Sequence, residues 1–194
     1  MNEYLAQISL VCQLYPEQTS DILNSLSNTQ YKSKQWLVTE LCNWVTDEAP
    51  TILIIGGWYG SYLIPMLKEK YSNCKIIHTD KDPLTIEIAS KLHKKQTDCV
   101  FEVLDAETPT KRYTPDILIN TSCEHMMTIG QHAITNQTTC LYALQSCDST
   151  IDPGHVNASI DTKDFSKKCN LLTELLCARI NLGNKNRFMS IGFK

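Results

Sequence analysis

The chain has 194 residues, 42% of them hydrophobic and 20% charged, with a formal charge of -3. That length supports one domain with a substantial core rather than two. No apolar run reaches the roughly 20 residues a membrane helix needs, and the acidic balance removes the broad basic face that usually drives nucleic-acid binding. The opening Met1-Asn2-Glu3-Tyr4 lacks the basic flank and apolar core of a secretory signal, so a cytoplasmic location is expected. Nine cysteines without a Cys-x-x-Cys pair, several of them (Cys42, Cys99, Cys140, Cys177) among apolar neighbours, point to reduced thiols. The histidines are dispersed, and no metal site is expected.

In chain order, Leu5, Ile8, Val11, Cys12 and Tyr15 recur at helical spacing over residues 2–15, until Pro16 ends the pattern. Ser20 or Asp21 can cap a short second helix through Leu26, and Leu37, Leu41, Trp44 and Val45 give a third stripe over 33–45. These form a helical extension over residues 1–50, whose apolar faces could also pair two subunits. Strand and helix then alternate. The run 51–55 is a strand, 61–71 a helix and 75–80 a strand, and Asp82-Pro83 caps a helix to about Lys95. Strands follow at 99–104, 116–120 and 138–144. Such alternation implies parallel pairing through right-handed crossovers, with the strand tips along one edge. Two strand-like runs, 171–182 and 187–193, joined by Gly183-Asn184-Lys185-Asn186, suit an antiparallel hairpin. The expected fold is α/β: a Rossmann-like, seven-stranded, mostly parallel sheet with helices on both faces, over residues 51–194.

The chemistry concentrates at the first strand's end. Ile52-Leu53-Ile54-Ile55 runs into Gly56-Gly57-Trp58-Tyr59-Gly60, and the next strand delivers Asp80-Lys81 twenty residues after Gly60. Glycines there let the backbone turn tightly and approach a ligand, while an acid at the next strand tip can accept hydrogen bonds from ribose hydroxyls. Trp58 in place of a middle glycine disfavours a dinucleotide. The pattern resembles motifs I and II of the class I S-adenosylmethionine-dependent methyltransferases, with Gly56 and Gly60 as first and last glycines and Asp80 as the ribose acid. It departs from them at Ile54, where the family carries an acid, and at Trp58. The resemblance implies S-adenosyl-L-methionine as cofactor and places Gly57, Trp58, Tyr59 and Lys81 beside it. Trp58 and Tyr59 would either wall the cofactor, an aromatic face being attractive to a sulfonium, or pack inward on the N-terminal helices.

Asp105-Ala106 matches the family's third motif, which holds the adenine, although a strand-end Asp also orders loops. Asn120, Ser122 and the pair Glu124-His125 resemble the segment lying beside the sulfonium and acceptor in many small-molecule methyltransferases. There a carboxylate and an imidazole could position an acceptor or remove its proton. Alternatively, Glu124 caps a helix and His125 bonds to backbone. Cys123 has no base or oxyanion hole to make it a nucleophile. His155 and Asn157, after Asp152-Pro153-Gly154, could reach an acceptor or serve only to order a turn. His78 reads as an interior histidine.

The expected function is methyl transfer to a small or exposed acceptor, with no membrane partner and no nucleic acid. Leu53-Ile54-Ile55-Gly56-Gly57 also resembles the glycine motif of spermidine-forming aminopropyltransferases, and a non-catalytic nucleoside-binding module would keep the same fold. The chain further resembles compact methyltransferase-like proteins of tailed phages.

Overall fold

The computed structural model describes residues 2–128, 139–151, 154–183 and 185–194. Met1, Thr138, Asp152, Pro153 and Asn184, which entered the expectations above, lie outside these. Seven strands, β1 (Thr51–Ile55), β2 (Lys75–Asp80), β3 (Cys99–Val103), β4 (Ile117–Asn120), β5 (Leu141–Cys147), β6 (Thr173–Asn181) and β7 (Asn186–Phe193), make one sheet in the order β3-β2-β1-β4-β5-β7-β6. The first five pair in parallel, and β7 is antiparallel to both of its neighbours. The strand order reverses beside β1, so β1 and β4 diverge at the switch point where open α/β sheets hold ligands.

Continuous apolar strands are buried on both faces, as central parallel strands must be. Ile52 and Ile54 pack with Leu37 and Leu41 of α3 (Asn28–Leu41) and with Leu63, Ile64 and Leu67 of α4 (Leu63–Lys70). Leu53 and Ile55 face the other layer, with Phe165 and Cys169 of α6 (Thr162–Cys169). A third cluster joins α1 (Asn2–Leu14) to α5 (Pro83–Leu92) through Ile8, Val11, Ile88 and Leu92. Asp82 caps α5 as expected, accepting from Leu84 N and Thr85 N.

The N-terminal segments shift from their expected bounds. α3 starts at Asn28, capped by Ser27, five residues before the expected start, because the cap chemistry rather than the apolar stripe sets a helix N-terminus. α2 (Thr19–Asn24) begins ahead of Ser20 and Asp21, so neither caps it. Leu5 and Trp44, read as members of apolar stripes, are exposed. All nine cysteines are free thiols. Among the described residues, no helix is long and apolar enough to cross a membrane.

Candidate functional site

The first turn after β1 is shaped by its glycines and by one strained tryptophan. Gly56 and Gly60 hold φ of +57° and +63°, and Trp58 between them holds +51°, a conformation that bulky residues seldom adopt. Three bonds keep it there. Trp58 N donates to Asp80 Oδ2 (3.0 Å), His78 Nε2 donates to the Trp58 carbonyl (2.8 Å), and Gly57 N donates to Thr79 O (3.0 Å). The strand-tip acid therefore organises the loop as well as facing the space above it. Its other oxygen accepts from Asp82 N.

His78 is the interior histidine the sequence suggested, fully buried and held neutral by that burial. It also explains Gly57. A Cβ at Gly57 would lie 2.3 Å from the imidazole Cε1, inside any tolerable contact, and a buried ring has little room to yield. Gly57→Ala is expected to destabilise the fold by about 1–3 kcal/mol through overpacking. Thermal denaturation checks this, and an unchanged Tm would show the ring to be free to move.

Above the strand tips opens a cavity of about 880 Å³. The glycine turn, Asp80 with Lys81, and Asp105 with Ala106 line one side. Ser122, Glu124, His125 and His155 line another. The sequence-derived candidates thus converge, with three exceptions. Tyr59 points away, 2% exposed, into the third apolar cluster and stacked on Trp58, so its role is in the core. Trp58 does both things the sequence allowed, packing on that cluster and lining the cavity. Asn120 and Asn157 do not line it. Asn120 is fully buried, accepting from Ser122 N and donating to Met126 Sδ, and Asn157 Nδ2 donates to the carbonyls of Met126 and Met127. Both order the loop after β4 rather than face a ligand. Asp105 lines the cavity, while its carboxylate accepts from Glu107 N and Thr108 Oγ1.

Sequence reading missed Arg187. It begins β7 and reaches under the β4 tip, where Nη1 donates to Glu124 Oε1 (2.6 Å) and Nη2 to the Thr121 carbonyl. Both partners are buried. Burial alone would raise the Glu124 carboxyl, but the Arg187 charge outweighs it and holds Glu124 below the usual carboxylate range. Glu124 is therefore an ionised, weakly basic partner, and the imidazole beside it is the group with a lone pair to offer. Since a carbonyl oxygen only accepts, His125 Nδ1 must donate to Gly154 O (3.0 Å), which leaves Nε2 as the lone-pair nitrogen. A signal for Arg187 did exist, as a charge heading the largely apolar run Phe188-Met189-Ser190-Ile191. Lys34 and Gln30, from α3, also line the cavity. The N-terminal extension thus supplies part of the wall. Cys123 is completely buried with its thiol pushed well up, which removes it as a nucleophile.

No protein-family model matches the chain, and no curated protein is significantly similar to it in sequence. Solved structures are similar in fold. Coclaurine N-methyltransferase, bound to N-methylheliamine and SAH, superposes with a TM-score of 0.58 at 13% identity, over 76% of this chain and 51% of that one. The N-methyltransferase NodS from Bradyrhizobium japonicum gives 0.64 at 13% identity, over 86% and 97%. The CMeT domain of the citrinin polyketide synthase gives 0.66 at 15% identity, over 89% and 56%. The chain spans little more than half of the first and third of these proteins. At such identities the likeness is one of fold, and the fold is that of the class I S-adenosylmethionine-dependent methyltransferases.

Proposed function

We propose that the chain binds S-adenosyl-L-methionine and transfers its methyl group directly to a small or exposed acceptor. The observation that carries this reading is that the glycine turn, Asp80, Asp105 and the Glu124-His125 pair open on one cavity at the switch point of a methyltransferase fold. The residues fit the cofactor. Asp80 stands where ribose hydroxyls would donate, Leu104 and Ala106 offer an apolar edge to adenine, and the backbone at Gly56 and Gly60 adopts a left-handed turn that keeps side chains away from the cleft. Ile54, at the family's acidic position, is buried in the core and contributes nothing to the cleft, so the amino acid end must be held by other groups.

Bound there, the sulfonium supplies an electrophilic methyl group, and the protein's task is to align the acceptor and exclude water. His125 faces the acceptor side with Nε2 available to take its proton, its ring oriented by the Gly154 carbonyl. Glu124 keeps a fixed negative charge behind it, anchored by Arg187. The expected result is micromolar binding of S-adenosylhomocysteine by calorimetry, weakened at least about tenfold in Asp80→Ala, the loss of one charge-assisted hydrogen bond. Circular dichroism would show whether the variant keeps its fold. If the unaltered protein binds neither form of the cofactor, the reading is wrong.

A further inference from the structure

Two histidines thirty residues apart meet over the Glu124 carboxylate. The rings of His125 and His155 sit edge to face with centroids 4.6 Å apart, and one ligand atom from each of Glu124, His125 and His155 lies within 4.8 Å of the others. From this arrangement we infer that the three side chains form a divalent transition-metal site, a two-histidine, one-carboxylate set open to the cavity.

Three details favour a ligand set over a chance meeting. His125 Nδ1 donates to Gly154 O, and His155 Nδ1 donates to Ser149 O (2.6 Å), so each ring is held through one nitrogen by a backbone carbonyl. Metal-binding histidines are oriented in this way, by a carbonyl on the other ring nitrogen. Glu124 Oε1 is fixed by Arg187, whereas its buried Oε2 has no hydrogen-bond partner among the described residues. A buried carboxylate oxygen left this way lacks a partner that an ion would supply. Finally, ligand atoms around an ion at about 2.1 Å sit about 3.4 Å apart in a tetrahedron, so only modest rotation of the imidazoles is needed. His125 is exposed and His155 half-buried.

The donor set, nitrogen and carboxylate, suits Zn²⁺, Co²⁺ or Fe²⁺ more than Ca²⁺ or Mg²⁺. Three protein ligands leave positions open toward the cavity, where a small molecule with oxygen or nitrogen donors would complete the coordination. Arg187 shares the carboxylate and moderates the affinity, which we place in the micromolar range. An ion and a proton compete for the same His125 lone pair, so metal loading would replace proton acceptance by coordination.

The test uses the full chain, freed of metal by a chelator and titrated with Co²⁺ and with Zn²⁺. The expected result is one Co²⁺ per chain, with visible bands but without the intense ultraviolet band of thiolate ligation. Affinity should fall at least tenfold in His155→Ala and in His125→Ala, each checked for folding by circular dichroism. Absence of binding up to about 1 mM, unchanged affinity in the double variant, or a thiolate band from the cysteines would overturn the site. Titrating S-adenosylhomocysteine into the chelator-treated protein reads cofactor binding separately, so either proposal can fail alone.

Discussion

Arg187→Ala is expected to lower stability by about 3–5 kcal/mol, because it strands an ionised Glu124 among buried groups. Both side chains are sequestered, and Arg187 also donates to the Thr121 carbonyl, so alanine leaves a charge and a carbonyl without their partner. The loss should depend on acidity in a particular direction. Without the guanidinium, burial raises the Glu124 carboxyl above its unfolded value, so the variant takes up a proton that the parent does not. Urea denaturation should therefore show the gap between parent and variant shrinking as pH falls from neutrality toward 4. The double replacement Arg187→Met with Glu124→Leu, which removes both charges, should recover much of the loss. A deficit below about 1 kcal/mol at neutral pH would mean that water reaches the pair.

The second large effect comes from histidines kept neutral inside the protein. His93 is 3% exposed, donates from Nε2 to the Tyr59 carbonyl (3.0 Å) and lies parallel to Phe101. Burial, helped by the nearby His78, lowers its pKa to about 4. A folded-state value below the unfolded value of about 6.5 means that the unfolded chain binds the proton more readily. Stability is therefore full above pH 6.5 and falls as pH drops toward 4. The drop amounts to about 3 kcal/mol for His93 at 1.36 kcal/mol per unit, and His78 adds to it in the same direction. Denaturation at pH 7.5 and 4.5 measures it. His93→Gln, which keeps a donor but does not titrate, should flatten the profile, and an unaltered slope in that variant would assign the loss to other groups.

How much of this was legible beforehand varied with the range of the interaction involved. The parallel sheet followed from the apolar run at 51–55, from the alternation of strand and helix and from the Asp82-Pro83 cap, because burial and capping act on a few neighbouring residues. The convergence of Asp80, Asp105 and His125 followed from parallel pairing, which places every strand tip at one edge. Three things were hidden. Tyr59 turned inward next to a Trp58 of left-handed backbone, and nothing local announces positive φ at a tryptophan. Asn120 and Asn157 were drawn into ordering the loop after β4, a task set by which carbonyls the fold leaves near them. The meeting of His125 with His155 and of Glu124 with Arg187 depends on contacts 30 and 63 residues apart in sequence. Dispersed histidines in a sequence therefore say little about a cluster in space.

The placement of β7 bears on how the cavity is made during synthesis. This strand leaves the ribosome after β6 yet lies between β5 and β6 in the sheet. Until it emerges, β6 lacks the strand it pairs with and the edge of β5 stays open. The guanidinium that secures Glu124 arrives on the same strand, so completion of the sheet and neutralisation of the cleft floor depend on one and the same segment.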